Sequence, residues 1–300
     1  MNIIILGAHG FIGSHLVEYF HYKGDIVTAC DLQENNSCNY DYKKVSILSS
    51  DFETIFGDHN FDYCINAAGS GNVSFSMTNP ISDFESNTFA VAKVLDTIRK
   101  LQPNCKYVHI SSAAVYGNPK ELPIKENNEI RPLSPYGYNK YMSELLCEEY
   151  HLLYNLPIVI VRPFSVYGKG LKKQLLWDIC KKINSSDTIT LFGTGMESRD
   201  FLHISDLCEV LNKIITKSEF NADIYNAAGG IETTIRQIAD IFENIWQGKK
   251  RIKFSGELKI GDPVNWKADI SKINMLDFKP SVTLEKGIKN YWEWYLLVTK

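Results

Sequence analysis

A tyrosine and a lysine four residues apart can share one face of a helix, where the ammonium favours ionisation of the phenol and so creates a general base. The 300-residue chain contains four such pairs: Tyr19/Lys23, Tyr40/Lys44, Tyr116/Lys120 and Tyr136/Lys140. The first lies in a helix that leads to a second strand, the second lies in a polar loop, and the third encloses a helix-breaking Gly-Asn-Pro sequence. The fourth follows a good helix start, Ser134-Pro135. We therefore predict that Tyr136 and Lys140 form the functional pair.

Three glycines near the N-terminus follow an apolar strand and open a helix. Gly7 permits a tight turn, Gly10 lets the backbone approach a phosphate, and Gly13 lets the helix pack closely on the sheet. The new helix offers free N–H groups and its positive dipole end to a pyrophosphate. Asp31 ends the second strand, where a carboxylate accepts hydrogen bonds from the adenosine ribose and repels a 2′-phosphate. The sequence therefore predicts NAD as the cofactor, in preference to NADP.

A serine follows the strand predicted over residues 107–110, at the edge where doubly wound sheets bind their ligands. Ser112 is therefore expected to meet Tyr136 over the nicotinamide. A free phenol has a pKa of about 10, and both the Lys140 ammonium and the positive nicotinamide favour its ionised form. We expect Tyr136 to act as a general base near neutral pH and Ser112 to hydrogen-bond the reacting oxygen.

Short apolar runs alternate with helical patterns along the chain. The predicted strands are 3–6, 26–30, 63–66, 107–110 and 158–161, and the predicted helices are 11–23, 80–101 and 135–155, followed by 171–183, 205–217, 233–247 and 283–298. This alternation indicates an α/β fold with a doubly wound parallel sheet of the Rossmann type. We predict a cofactor-binding domain over residues 1–165 and a smaller α/β substrate lobe over 166–300, some segments of which return to the first domain.

Composition and charge narrow the function classes. The formal net charge is −3 and no long basic run occurs, which argues against a nucleic-acid partner. The apolar runs are too short to cross a membrane, and the N-terminal MNIIILG is expected to form a buried strand and not a signal peptide. The seven cysteines (30, 38, 64, 105, 147, 180 and 208) form no C-x-x-C pair, and no cluster has metal-site spacing. These features predict a cytoplasmic enzyme with reduced thiols and no metal.

Further motifs complete the pattern. They are SDF at 50–52, NAAG at 66–69, SSAAVYG at 111–117, SPYGYNK at 134–140, RPFSVYG at 162–168, ESRDFLHISDL at 197–207, YNAAGG at 225–230, GDPVNWKADISK at 261–272 and LDFKPSVTLEKGI at 276–288. With GAHGFIG at 7–13, they resemble the extended short-chain dehydrogenase/reductase family of nucleotide-sugar epimerases and dehydratases over nearly the whole chain. The resemblance implies a Rossmann domain that carries NAD, a lobe that grips a nucleoside-diphosphate sugar, and a homodimer formed through the helices at 80–101 and 135–155.

The resemblance also implies two sets of binding residues. The cofactor set is Gly7, Gly10, Phe11, Ile12, Gly13, Asp31, Leu32, Asp51, Phe52, Ala67, Ala68, Gly69, Asn87, Ser111, Tyr136, Lys140, Pro163 and Val166. The substrate set is Ser74, Ser112, Ser165, Arg199 and Lys259. Arg199 is expected to pair with phosphate through its guanidinium fork. Lys259 stands near a second phosphate-binding arginine of the family, and Ser165 replaces the asparagine of its RxFNxYG motif.

The two residues after Ser112 bear on the reaction. Dehydratases of this family carry Asp-Glu there as acid and base, whereas this chain has Ala113 and Ala114, and the glutamate of the decarboxylases is also missing. The resemblance therefore favours a 4-epimerase, which oxidises sugar C4 to a 4-keto intermediate with NAD and reduces it again on the other face. A 4-keto-sugar reductase that consumes NAD(P)H is the alternative, and a catalytically inactive NAD-sensing regulator is a further one.

Overall fold

A computed structural model describes residues 1–35, 39–183, 188–257 and 263–299. Its strands are β1 (Asn2–Leu6), β2 (Ile26–Asp31), β3 (Asp41–Lys44), β4 (Tyr63–Asn66), β5 (Lys106–Ile110), β6 (Ile158–Pro163), β7 (Ser165–Tyr167), β8 (Thr188–Leu191), β9 (Ser198–His203), β10 (Asn221–Ala227), β11 (Glu232–Thr234) and β12 (Arg251–Phe254). Seven of them form one parallel sheet in the order β10-β6-β5-β4-β1-β2-β3. The strand order reverses at β1 and β4, which is where doubly wound sheets bind ligands. The predicted fold class is confirmed.

The helices connect these strands across both faces of the sheet. They are α1 (Phe11–Tyr22), α2 (Asp51–Asp58), α3 (Val73–Thr78), α4 (Pro80–Phe84), α5 (Ala90–Leu101), α6 (Pro135–Tyr154), α7 (Gln174–Ile183), α8 (Ile204–Lys217), α9 (Ile235–Ile245), α10 (Ser271–Asn274) and α11 (Leu284–Val298). A π-helical turn over Glu85–Phe89 joins α4 to α5 without a break. Helix α6 begins as Ser134-Pro135 predicts, because the Ser134 hydroxyl accepts the N–H of Gly137 at 3.2 Å.

Consecutive apolar residues in the central strands bury both faces of the large sheet. Ile3 and Ile5 pack in one core cluster with residues of α1 and α8. Ile4 and Leu6 pack in a second cluster with Phe52 and residues of α5. Because the central strands are fixed from both sides, the loops at their carboxyl ends have a rigid base.

The predicted strands at 3–6, 26–30, 63–66, 107–110 and 158–161 lie within two residues of the observed ones, as do the helices at 11–23, 80–101 and 135–155. Tyr40 lies in a bend, as the predicted polar loop implies, but the strand β3 that begins at the next residue was not predicted. This strand lies at the edge of the described sheet, where β2 is its neighbour. An edge strand keeps polar side chains in water, so it lacks the apolar pattern of a central strand.

The C-terminal part adds two small sheets, β11-β9-β7 and β12-β8. They pack with α7, α9 and α11 around a third core cluster, which includes Phe242, Trp246, Tyr291 and Tyr295. By contrast, β10 pairs with β6 and α8 packs on α1, so both belong to the large sheet and its layers. A domain boundary at residue 165 stays a prediction.

Three observations bear on membranes, thiols and metals. No described helix is long and apolar enough to cross a membrane. The cysteines at 30, 64, 105, 147, 180 and 208 are buried and unpaired, and Cys38 lies outside the described residues. Within the ranges that the structure describes, no group of three or more His, Cys, Asp or Glu side chains could hold a metal ion.

Candidate active site

The glycine loop between β1 and α1 accepts only glycines at its contact points. A Cβ atom on Gly13 would lie 2.0 Å from the Gly7 carbonyl oxygen. Gly7 itself has a φ of +78°, and its Cβ would lie 2.6 Å from the Ala68 nitrogen. Helix α1 begins directly after Gly10, which has no side chain to cap the first N–H groups. The loop therefore leaves the positive end of α1 available to an anion.

The carboxyl group of Asp31 lies beside this loop at the end of β2. Its Oδ2 accepts the backbone N–H of His9 at 2.9 Å, and its Oδ1 accepts that of Gln33 at 3.2 Å. These two bonds fix the carboxylate where the sequence places the adenosine ribose. The next residue, Leu32, is an exposed apolar side chain.

The residues expected at the adenine lie at the start of α2. Asp51 is exposed in the first turn, whereas the Phe52 side chain is completely buried in the core. Phe52 can therefore reach a ligand only through its backbone.

A second loop follows β4 and faces the glycine loop. Ala67 and Ala68 lie against Gly7, and Gly69 has a φ of +119°. A Cβ atom on Gly69 would lie 2.4 Å from the Oδ1 atom of Asn87. This Oδ1 atom is buried and has no hydrogen-bond partner. An unpaired buried acceptor is costly unless a ligand satisfies it. The orphaned amide oxygen and the glycine loop together fit the predicted NAD.

Ser112 and Tyr136 meet at the carboxyl end of β5. The Ser112 hydroxyl accepts the N–H of Ala114 at 3.1 Å and lies near enough to the Tyr136 phenol to lower its pKa. The backbone N–H of Tyr136 donates to the Ser76 hydroxyl at 3.1 Å, which joins the start of α6 to α3. The structure therefore places the predicted serine and tyrosine near each other.

Lys140 lies one helical turn beyond Tyr136 and is buried. Its ammonium donates to the Ile110 carbonyl oxygen at 2.9 Å, at the end of β5. Burial lowers the pKa of Lys140 to about 8, although the carboxyl groups of Asp83 and Glu144 act in the opposite direction. Lys140 can therefore lose its proton at a mildly alkaline pH.

The expectation that Lys140 and the nicotinamide together favour the Tyr136 phenolate stays a prediction. Within the protein alone, burial raises the pKa of Tyr136 above its ordinary value, Ser112 lowers it in part, and Asp83 raises it further. Burial dominates because a phenolate loses more hydration than a neutral phenol when it leaves water.

A buried polar network lies behind the three catalytic candidates. The Ser111 hydroxyl donates to the Glu144 carboxylate at 2.5 Å, so its side chain is bonded inside the protein. Arg162 donates to the same carboxylate at 2.9 and 2.6 Å, and both charged groups are almost fully buried. Arg162 also donates to the Tyr116 hydroxyl at 2.7 Å. Strands β5 and β6 and helix α6 are thereby joined at the edge that carries Ser112.

The predicted substrate residues are spread more widely. Ser74 is exposed on α3, and Ser165 begins β7 and is half-buried. Arg199 lies in β9, where its Nη1 donates to the carbonyl oxygens of Ser198 and Val264 at 2.8 and 3.2 Å and its guanidinium lies 5.7 Å from the Trp266 ring centre. Lys259 lies outside the described residues.

The remaining candidates lie at strand ends or in the first turn of α1. Pro163 ends β6, and the buried Val166 lies in β7. Phe11 and Ile12 are partly buried against the core. The other Tyr/Lys pairs are bonded elsewhere, since the Tyr19 phenol donates to Glu209 at 2.5 Å and Lys120 pairs with Glu129 at 3.2 Å.

Four polar residues that hold this centre together are not among the site residues predicted from the sequence. They are Ser76, Asp83, Glu144 and Arg162, all of which are buried. A helical period contains a signal for two of them, because Glu144 follows Lys140 by four residues and Asp83 precedes Asn87 by four. Ser76 lies two residues beyond the predicted Ser74, and only the packing of α3 on α6 distinguishes them.

Known proteins resemble this chain in sequence and in fold. A model of the NAD dependent epimerase/dehydratase family matches residues 3–228 of the chain. The chain belongs to this family. It is 31% identical to a putative UDP-glucose 4-epimerase from Methanocaldococcus jannaschii over 97% of both chains. It is 29% identical to a UDP-glucuronate 4-epimerase from Thermodesulfobacterium geofontis, over 97% of this chain and 95% of the other.

Solved structures of epimerases have the same fold. The crystal structure of UDP-glucuronic acid 4-epimerase from Bacillus cereus in complex with UDP-glucuronic acid and NAD matches with a TM-score of 0.90 and 26% identity, over 99% of this chain and 100% of that one. Membership of the epimerase/dehydratase family confirms the predicted resemblance, the assignment as an enzyme and NAD as the cofactor. The roles of individual site residues stay predictions.

Proposed function

We propose that this enzyme is a nucleotide-sugar 4-epimerase, with Ser112, Tyr136 and Lys140 as its catalytic residues. The observation that carries the proposal is the placement of Ser112 near Tyr136 and a buried Lys140, in a centre where Ala113 and Ala114 follow the serine. The alanines provide neither the acid nor the base that loss of water from the sugar requires. Chemistry at this centre is therefore limited to moving hydrogen at one carbinol carbon.

The three side chains have different roles at the sugar 4-hydroxyl. Tyr136 takes the hydroxyl proton in the oxidising half and returns a proton in the reducing half. Ser112 hydrogen-bonds the same oxygen and holds it against the phenol. Lys140 provides a positive charge one turn away and favours the phenolate. The glycine loop, Asp31 and Asn87 would hold NAD, which would supply a hydride acceptor and donor for C4 and a positive charge that favours the phenolate.

For the substrate, we propose a UDP-hexose. The relatives named above act on UDP-glucose and UDP-glucuronate, according to their descriptions. Arg199 is the proposed ligand of the diphosphate, because the bonds from its Nη1 and the Trp266 ring hold the guanidinium plane in place. The reductase alternative is less well supported, since the fixed Asp31 carboxylate would repel the 2′-phosphate of NADPH.

Incubation with UDP-hexoses and no added cofactor tests the reaction. We expect interconversion of 4-epimers by the wild-type enzyme. Tyr136→Phe should lower kcat by at least about 100-fold, because general acid–base catalysis contributes at least that much. Tyr138→Phe is the matched control, since this exposed phenol on the same helix should be dispensable. Nucleotide-sugar chromatography measures both.

Two results would reject this function. One is the absence of epimers together with oxidation of added NADH by a 4-keto sugar, which is the reductase reaction. The other is unchanged turnover in Tyr136→Phe. An inactive regulator would give no turnover in either assay and would keep its effect on a partner after the same substitution.

We further propose that the sugar carries a carboxylate at C6, and that Lys173 binds it. The Lys173 ammonium lies 3.4 Å from the Gly71 carbonyl oxygen, on the loop that follows β4. The Lys173 side chain is exposed, desolvation of its ammonium lowers its pKa, and no described carboxylate forms an ion pair with it. The N-terminus of α1 is expected to bind the pyrophosphate of NAD, and Arg199 is the proposed ligand of the UDP diphosphate. Lys173 is therefore assigned to a third anionic group.

A comparison of UDP-glucuronate with UDP-glucose tests this assignment. Lys173→Met should lower kcat/KM for the uronate by about 10- to 100-fold, the worth of one charge-assisted hydrogen bond. The same variant should leave kcat/KM for UDP-glucose within about threefold. Lys172→Met, which removes the neighbouring exposed charge, is the control. Equal losses on both sugars would disprove the assignment and leave the epimerase proposal intact.

The partner that we propose is a second copy of the chain. Exposed apolar side chains lie along α4, the π-helical turn that follows it, α5 and α6, namely Ile81, Phe84, Phe89, Leu101, Leu145, Leu152, Leu153 and Tyr154. Ile81 and Leu152 are 71% and 66% exposed, and an apolar face of this extent is typical of an interface. A twofold axis would bury it against itself.

Light scattering tests the homodimer. We expect a mass twice the 34.2 kDa of one chain. Leu152→Lys should reduce the mass to that of one chain, because it places a charge in the buried face. Leu297→Lys on α11, outside this face, should leave the mass unchanged. A wild-type protein with the mass of one chain would contradict the proposal.

A further inference from the structure

Asp83 is a completely buried carboxyl group in α4. Its Oδ1 accepts the Asn87 amide at 3.1 Å, and its Oδ2 accepts the Asn139 amide at 2.7 Å. Asn87 is the predicted cofactor ligand, and Asn139 immediately precedes Lys140. A buried charge is expensive, and two neutral amides are a weak compensation for it. The position of Asp83 between two residues of the catalytic centre therefore needs a reason.

The first consequence concerns the orientation of Asn87. Its Nδ2 group donates both hydrogens, one to the Ser70 carbonyl oxygen at 3.1 Å and the other to Asp83. Rotation of the amide by half a turn would place Oδ1 against two acceptors, so this orientation is strongly disfavoured. Oδ1 is thereby held next to Gly69 as the buried acceptor without a partner.

The second consequence concerns charge. Asp83 raises the pKa of Lys140, which burial lowers, and it also raises the pKa of Tyr136. On α6 itself, Glu144 and Cys147 act on Lys140 in the same direction as Asp83. From β5, His109 faces Lys140, and its own pKa lies well below the ordinary value because of burial and that ammonium. Ser112 is the group that acts on Tyr136 in the opposite direction.

We propose that Asp83 is a positioning residue of the catalytic centre: it holds the Asn87 amide oxygen towards the cofactor site and places a negative charge beside Lys140 and Tyr136. The proposal rests on the proposed function, because it assigns to Asp83 a part in the same proton transfer. Activity requires Tyr136 without its proton and Lys140 with its proton. Removal of the Asp83 charge lowers both apparent pKa values, so both limbs of the pH profile should move towards acid.

The decisive variants are Asp83→Asn and the exchange Asp83→Asn/Asn139→Asp. Asp83→Asn removes the charge with almost no change in size. In the exchange, the amide at 83 still accepts from Asn87 and donates to the new carboxylate at 139, so the hydrogen bonds and the charge are both restored. Glu148→Gln, which removes an exposed carboxylate from α6, is the control.

We expect the optimum of kcat/KM in Asp83→Asn to move to lower pH by about one unit, the size of a nearby-charge effect. The exchange variant should return it to the wild-type pH, and Glu148→Gln should leave it there. A merely structural role would lower the whole profile without moving it, and that result would overturn the proposal. If Asp83→Asn does not fold, Asp83→Ser provides the neutral variant.

A direct titration separates this proposal from the epimerase assignment. The NMR signal of the ¹³Cε-labelled Lys140 side chain reports its pKa without any turnover. We expect a value lower in Asp83→Asn than in the wild-type protein, and recovery in the exchange variant. An unchanged value would overturn the role of Asp83 whether or not a UDP-hexose is converted, whereas absence of conversion with a shifted pKa would reject only the proposed function.

Discussion

The hydrogen bond from the Lys140 ammonium to the Ile110 carbonyl oxygen is the contact on which the site depends. It ties α6 to the end of β5, two residues before Ser112. Since Tyr136 lies one turn earlier on α6, the same contact places its phenol beside the Ser112 hydroxyl. The bond from the Tyr136 backbone N–H to the Ser76 hydroxyl then fixes the start of the helix against α3. Two elements of regular structure, β5 and α6, thus determine where the proposed catalytic atoms meet.

Charge at this centre is buried and balanced. An ammonium at Lys140 has lost much of its hydration, and the carboxyl groups of Asp83 and Glu144 compensate in part. Glu144 is itself paired with the buried Arg162, which also reaches Tyr116. Each buried charge costs several kcal/mol unless it is paired. We infer that these buried charges are kept because they make the edge of the sheet rigid, and that the phenol needs this rigid edge to exchange its proton.

The central fold could be predicted because its signals are local. Apolar runs, helix periods and the Ser134-Pro135 start depend on neighbours in the chain, and they located the main strands and helices within two residues. Strand β3 was missed because an edge strand needs no apolar pattern.

Ser112, Tyr136 and Lys140 could be placed together because strand ends share one edge of the sheet. The direction of the Tyr136 pKa shift could not be predicted, because the burial of this phenol depends on how α3 and α4 pack against α6. The same packing distinguishes Ser76 from Ser74 and brings Asp83 to the site.

The central claim is that hydrogen leaves sugar C4 and returns to it within one turnover. A UDP-hexose labelled with deuterium at C4 tests this directly, with the enzyme incubated without added cofactor and the product examined by NMR and mass spectrometry. The account predicts that the 4-epimer retains deuterium at C4. Formation of the epimer with loss of that deuterium to water would contradict it.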